Sequence, residues 1–335
     1  MKILVTGGAG YIGSHCILAL LNQGYEVLVY DNLSTGHLET ISTLQNIGET
    51  SFSFLKGDLL NLETLFSAFE NNIDAVMHFA ALSQVGESMT MPEKYYKNNL
   101  VGTINLLNVM KSFNVDKIVF SSTAATYGEP QNIPIDECHP QNPINTYGQT
   151  KLFIEKIMDD YDRAYNLKSV RLRYFNVAGA DSNGRIGEWH EPETHLIPNI
   201  LKSTFGEGKT FEMYGNDYNT KDGTCVRDYI NVEDLAQAHI AALRYLEKGG
   251  QTDYFNLGTK EGNTVKEVFD LCENITGQKI PLIIKERREG DPAKLVADNT
   301  KAEKVLNWKP QKTLENSIHS AFQWELKLNK KPLLK

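Results

Sequence analysis

The chain has 335 residues, 41% hydrophobic and 23% charged, with a formal net charge of −8. That length buries one large core or two moderate ones, and the composition is that of an ordinary soluble globular protein. The negative charge argues against nucleic acid or an anionic membrane as the main partner, although local basic pockets can still form.

In chain order, Lys2-Ile3-Leu4-Val5-Thr6 is a short apolar run of buried-strand type. It opens the chain directly, leaving no room for a signal peptide, and no apolar run approaches ~18 residues. The run leads into Gly7-Gly8-Ala9-Gly10-Tyr11-Ile12-Gly13 and a helical pattern that continues to Leu21. Glycines between strand and helix let the backbone turn tightly and approach a pyrophosphate, which sits on the N–H groups of the helix start. A second strand, Glu26 to Tyr30, ends in Asp31, 18 residues past Gly13. A carboxylate there accepts hydrogen bonds from an adenosine ribose and repels a 2′-phosphate, favouring NAD over NADP. Further strands are predicted near 52–55, 74–79, 117–121 and 169–173, with helical patterns at 12–22, 61–70, 92–113 and 145–165. This alternation predicts an α/β fold, a doubly wound parallel (Rossmann) sheet with helices on both faces.

The strand at 117–121 runs into Ser122-Thr123-Ala124-Ala125, and strand ends at this edge of a doubly wound sheet are where ligands bind. Of the fifteen tyrosines only Tyr147, 24 residues after Thr123, has a lysine four residues on, Lys151. Residues at i and i+4 share one helix face, and an ammonium held beside a phenol lowers its pKa from ~10 toward neutrality. Thr123, Tyr147 and Lys151 are therefore the candidate catalytic residues.

From Phe175 the apolar runs shorten and Gly, Asn and acidic residues increase. Helices are predicted at 231–247, 265–275 and 314–328, and Tyr254-Phe255-Asn256-Leu257 is expected to return to the main sheet. The expected division is a dinucleotide-binding domain over 1–175, rejoined by 231–258, and a smaller C-terminal substrate-binding lobe over 176–335. His190 and His195 lie near Glu188, Glu191 and Glu193, but Gly184, Gly187 and Pro192 make this segment a loop, and no metal site is expected there. The basic run Lys285, Arg287 and Arg288 is by itself a solvated face. Four scattered cysteines, Cys16, Cys138, Cys225 and Cys272, form no C-x-x-C pair and predict reduced thiols in a cytoplasmic protein.

Taken together, these residues resemble the extended short-chain dehydrogenase/reductases, and within them the UDP-glucose 4-epimerase (UDP-galactose 4-epimerase) family. The resemblance runs nearly end to end. It rests on Thr6 to His15, Asp31-Asn32-Leu33, Gly57-Asp58, His78 to Ala81, Val85 to Ser88, Tyr95-Tyr96 and Asn98-Asn99. It continues through Tyr147-Gly148 with Lys151, Arg173 to Asn176, Tyr214 to Tyr218, Asp222 to Tyr229, Arg288-Glu289-Gly290-Asp291 and Leu306-Asn307-Trp308. The resemblance implies a tightly held NAD contacted by the Gly7, Gly10 and Gly13 turn, Tyr11 and Ile12, and by Asp31, Asn32, Leu33, Ser34, Thr35 and Gly36. Further contacts are implied for Asp58, Leu59, Phe79, Ala80, Ala81, Ser83, Asn98 and Phe175, together with the Thr123–Tyr147–Lys151 triad. The nucleotide-sugar is implied to lie against Thr123, Tyr147, Asn176, His195, Leu196, Glu212, Met213 and Tyr214. Arg227 and Arg288 match its diphosphate and Asp291 its uridine ribose, with Leu295 near the hexose.

The implied reaction is reversible inversion at C4 of UDP-galactose and UDP-glucose through a 4-keto intermediate. Tyr147 as phenolate takes the 4′-hydroxyl proton, hydride passes to the nicotinamide, and Thr123 bonds the same oxygen. Lys151 holds the nicotinamide ribose. Three positions depart from the family pattern. Ser83 stands where many members carry lysine, and His195 where many carry asparagine. Leu295 replaces the tyrosine of glucose/galactose-restricted members, which opens the range to UDP-N-acetylglucosamine and UDP-N-acetylgalactosamine. The rivals on the same fold are a nucleotide-sugar 4,6-dehydratase and a catalytically inactive NAD-sensing protein. A homodimer paired through the helices bearing Tyr95-Tyr96 and Tyr147 is the implied assembly.

Overall fold

The structure is a computed structural model that describes residues 1–205, 210–288 and 291–330. Glu289 and Gly290 of the resemblance, and the last five residues of the expected lobe, lie outside the described residues. Six strands come first: β1 (Lys2–Thr6), β2 (Glu26–Asp31), β3 (Phe52–Lys56), β4 (Ala75–His78), β5 (Lys117–Ser121) and β6 (Lys168–Tyr174). Between them run α1 (Tyr11–Asn22), α2 (Leu38–Gly48), α3 (Leu62–Phe69), α4 (Val85–Thr90), α5 (Pro92–Tyr95), α6 (Gly102–Ser112) and α7 (Thr146–Tyr165).

The second half contributes β7 (Asn176–Ala178), α8 (Leu196–Lys202), β8 (Phe211–Tyr214), β9 (Val226–Arg227), β10 (Tyr229–Asn231) and α9 (Val232–Glu247). There follow β11 (Asp253–Leu257), β12 (Asn263–Thr264), α10 (Val265–Thr276), β13 (Leu282–Lys285), β14 (Lys294–Leu295), α11 (Thr300–Leu306) and α12 (Leu314–Leu328). The main sheet has seven strands in the order β11-β6-β5-β4-β1-β2-β3, every pair parallel. The predicted Rossmann sheet is therefore present, and residues 253–257 do return to it beside β6.

Buried on both faces, the strands are nearly continuous Val, Ile and Leu, as parallel strands require. One core joins β1 and β2 to α1 and α9; the other joins the opposite sheet face to α3, α6 and α7. A third core, around Ile197, Ile200, Phe211, Phe269 and Phe322, belongs to the smaller lobe.

Two expectations are corrected. Residues 92–113 do not form one regular helix: between α5 and α6 the segment Tyr96–Val101 is π-helical. A π turn inserts an extra residue, and it carries Asn98 and Asn99. Asn99 both accepts from Leu82 N at 2.8 Å and donates to Leu82 O at 3.0 Å, tying down the loop that follows β4. The helix α2 was absent from the sequence reading because only Ile41 and Leu44 of its residues are buried, too thin a stripe to show as a periodic pattern. Among the described residues no helix is long and apolar enough to cross a membrane.

Candidate active site

The parallel register brings Thr6, Asp31, His78, Ser121 and Tyr174 to one edge of the sheet. The glycine turn follows β1 there. Gly7 has φ +73°, and a Cβ on it would lie 2.5 Å from Ala80 N; one on Gly13 would lie 2.3 Å from Gly7 O. Substituting either would push strand, turn and helix apart. Gly10 caps α1 without a side-chain bond, so the first-turn N–H groups at Tyr11, Ile12 and Gly13 have no intrahelical acceptor and suit an anion. Asp31 accepts from Ala9 N at 2.9 Å and from Leu33 N at 2.8 Å, and Leu33 takes φ +61° to make that turn. A carboxylate has about four lone-pair sites, so two remain for a ribose diol. Asn32 donates to Asp58 at 2.8 Å and accepts from Ser34 N, joining the ends of β2 and β3. These observations fit a dinucleotide lying across the strand ends.

Thr123, Tyr147 and Lys151 come together as the spacing predicts. Thr123 follows β5, its side chain accepts from Ala125 N at 3.1 Å, and a hydrogen bond from it acts on the Tyr147 phenol. Asn145 caps α7 by accepting from Gly148 N at 2.8 Å, and Ser88 accepts from Tyr147 N at 3.1 Å, fixing the helix start. Lys151 is 2% exposed; its Nζ donates to Ser121 O at 2.7 Å and lies 5.9 Å from the Tyr147 ring centroid.

The expected pKa depression of Tyr147 by Lys151 is not found. Burial pushes the Tyr147 phenol up to about 12, with only the Thr123 hydrogen bond pulling it down. Burial pushes the Lys151 ammonium down to about 7, against the attraction of Glu155. The reason is direction: Nζ is aimed at a backbone carbonyl and at the Phe120 ring, 4.7 Å away, rather than at the phenol oxygen.

Beneath the triad lies an ion pair that the sequence reading missed. Glu155 accepts from Arg173 Nη2 at 2.5 Å and Nε at 3.0 Å, and from Ser122 Oγ at 2.5 Å; both ion-pair side chains are 3% exposed. Arg173 also donates to Tyr127 OH at 2.9 Å, which in turn donates to Asn256. Glu155 is four residues past Lys151 on α7, a spacing that offered the only clue in the sequence.

The second lobe forms a cleft of ≈ 640 Å³. Leu196, Glu212, Met213, Tyr214, Arg288 and Asp291 line it, six of the twelve expected substrate residues. The other expected positions are Asn176, His195, Arg227 and Leu295, together with Thr123 and Tyr147 at the sheet edge. Arg227 donates to Asp291 at 3.0 Å and to Pro292 O at 2.8 Å, while Arg288 stacks over Tyr214 at 4.0 Å. Asn176 begins β7, and Leu295 packs with Phe175 against Ala124, Tyr127 and Ile135, close under the Thr123 strand end. Lys285 pairs with Glu212 and Arg287 with Asp217, as surface charges do. Leu59 is buried and Phe79 packs at a tilt against His239, 4.9 Å between ring centroids, whereas among the described residues the side chains of Thr35 and Ser83 make no hydrogen bond.

The chain matches the family model described as GDP-mannose 4,6 dehydratase over residues 4–321. It is 51% identical to the UDP-glucose 4-epimerase of Halalkalibacterium halodurans, over 97% of this chain and 95% of that one. The solved UDP-glucose 4-epimerase from Bifidobacterium longum, in complex with NAD+ and UDP, has a TM-score of 0.93 at 42% identity and 98% coverage of both chains. The UDP-Glc/GlcNAc 4-epimerase of Campylobacter jejuni is similar at 41% identity, with a TM-score of 0.84 and coverage of 97% and 99%. With the strand-end triad and near-complete coverage in agreement, the chain belongs to the UDP-glucose 4-epimerase family of extended short-chain dehydrogenase/reductases.

Proposed function

We propose that this protein interconverts UDP-galactose and UDP-glucose by inverting C4 of the hexose, with a resident NAD. The observation that carries the reading is the convergence of Thr123, Tyr147 and Lys151 at one strand end, above the glycine turn and Asp31. When bound, NAD supplies reversible hydride acceptance from C4 and a cationic ring. The chain's own residues do the rest. Tyr147 OH holds the 4′-hydroxyl proton, and Thr123 bonds the same oxygen. Since Lys151 alone leaves the phenol near 12, the depression needed for proton abstraction comes only when the site is complete. Glu155, whose attraction favours the charged form of Lys151, supports that depression. Residues 1–175 with 231–258 hold the dinucleotide, and the lobe beyond 176 holds the UDP-sugar, its diphosphate against Arg227 and Arg288.

The dehydratase reading requires a carboxylic acid at the Thr123 strand end to eliminate water. Ala124 and Ala125 stand there, which disfavours it. The intact triad disfavours an inactive NAD sensor. A homodimer through the helices around Tyr95-Tyr96 and Tyr147 agrees with the exposed Val101 and Phe153, and a cytoplasmic location agrees with four free cysteines.

Protein that is dialysed extensively and then denatured is expected to release NAD in amounts approaching one per chain. A preparation that turned over only with free NADP would contradict the reading.

Leu295 predicts the sugar range. A tyrosine there would project a rigid ring toward the 2′ substituent, and pockets discriminate such differences by ~1–3 kcal/mol. Wild type is expected to epimerise UDP-N-acetylglucosamine measurably alongside UDP-glucose, and Leu295→Tyr to depress the acetylated reaction selectively. Equal slowing of both sugars would remove Leu295 as the gate.

A further inference from the structure

The loop before α8 folds so that Glu188, His190, Glu193 and His195 converge, with one donor atom from each lying within 4.8 Å of all the others. Gly184, Gly187 and Pro192 predict a loop here, and the segment is one, but the four side chains face one another. His195 Nδ1 lies 2.5 Å from Glu188 Oε1 and 3.5 Å from Glu193 Oε1; His190 Nδ1 lies 3.2 Å and 3.8 Å from the same two oxygens.

Two of these groups are buried without a hydrogen-bond partner: His190 Nδ1 and Glu193 Oε2. The Glu193 side chain is 5% exposed; its Oε1 faces both imidazoles, while Oε2 makes no hydrogen bond and lies 3.5 Å from Lys202 Nζ. A buried carboxylate oxygen and a buried imidazole nitrogen without hydrogen bonds are costly, and a cation held among the four side chains satisfies both. Charge agrees: Glu188 and Glu193 face both imidazoles, and burial, helped by the Glu188 and Glu193 carboxylates, holds the neighbouring Glu325 carboxyl up at about 7.

We propose that Glu188, His190, Glu193 and His195 bind one divalent transition-metal ion of the zinc type. Zinc takes imidazole and carboxylate ligands at about 2.0–2.2 Å in a tetrahedron, which puts donor atoms about 3.3 Å apart. Of the four histidine–glutamate separations, three, at 3.2, 3.5 and 3.8 Å, lie within about half an ångström of that. The fourth, 2.5 Å between His195 and Glu188, is a hydrogen bond that opens by about 0.8 Å when a metal displaces its proton. Both imidazoles reach solvent, giving an entry path, with side-chain exposures of 27% and 50%. All four ligands come from the protein, so the site is closed and structural, with no position for reacting water.

Its consequence is mechanical. His190 packs edge-on against Tyr11 at the start of α1, and Trp189 stacks on His37 at 3.7 Å, while His190 and Glu193 also line the lobe's cleft. The ion thus pins one segment between the glycine turn and the cleft.

The test uses the untagged full chain, stripped with a chelator, reloaded with zinc and desalted. The expected result is about one zinc per chain by elemental analysis and a raised melting temperature, with His190→Gln and Glu193→Gln each binding at least about tenfold more weakly. Cobalt(II) loaded into wild type should give the intense visible absorption of a tetrahedral site, a readout that needs no variant. Failure to retain metal would overturn the proposal and leave two protons as the neutralising charge. Equal retention by both variants would likewise overturn it, as adventitious surface binding.

Discussion

Tyr147→Phe is expected to lower turnover at least ~100-fold, the low end of what general acid–base catalysis contributes. The change removes one oxygen and keeps the ring, so UDP-sugar binding should move little and the loss should fall on kcat. Thr123→Ala should cost less, because it deletes a hydrogen bond and leaves the base. Among the described residues Thr123 is nevertheless the group that draws the Tyr147 pKa downward, against burial. The activity of Thr123→Ala should therefore rise toward more alkaline pH than that of wild type. Steady-state kinetics with UDP-galactose across pH checks both statements, and near-full activity in Tyr147→Phe would remove the phenol from the mechanism.

The largest expected effect on stability is at Glu155. Glu155→Leu leaves the Arg173 guanidinium, 3% exposed, without its counter-charge, and breaking a buried pair from one side costs ~3–5 kcal/mol. That is a large share of the ~5–15 kcal/mol that holds a typical domain folded. Removing both charges with Arg173→Leu in the same chain should recover much of the loss, since neither partner is then stranded. Urea unfolding of the two single variants and the double variant measures this directly. A Glu155→Leu variant as stable as wild type would contradict the assignment. The same pair fixes a pH dependence. Arg173 and Ser122 hold the folded Glu155 carboxyl below its ordinary value of 4.5. Its contribution is therefore complete above about pH 4.5 and lost as pH falls through the lower folded value. Glu155→Leu should flatten that part of the acid limb.

The sheet was legible because a doubly buried parallel strand must be a near-continuous apolar run, and β1, β2 and β5 are. Thr123, Tyr147 and Lys151 were legible for a local reason: a strand end and an i,i+4 helix face fix which side chains can meet. Spacing does not fix where a flexible side chain aims, and Lys151 turned its ammonium toward Ser121 O. The Arg227–Asp291 pair spans 64 residues and depends on β14 pairing with β9, which no local pattern in two-residue strands can announce. Glu188, His190, Glu193 and His195 stood out in the sequence by their proximity, but their convergence did not, because irregular backbone has no period from which a shared face can be read.

The central claim is inversion at C4 on a cofactor that never leaves. Extensively dialysed protein, given UDP-galactose and no added cofactor, should therefore be followed by proton NMR of the hexose signals. The account predicts UDP-glucose accumulating to an equilibrium mixture, reached equally from UDP-glucose as the starting sugar. Accumulation of a 6-deoxy-4-keto sugar, or no conversion with NAD still bound, would contradict it.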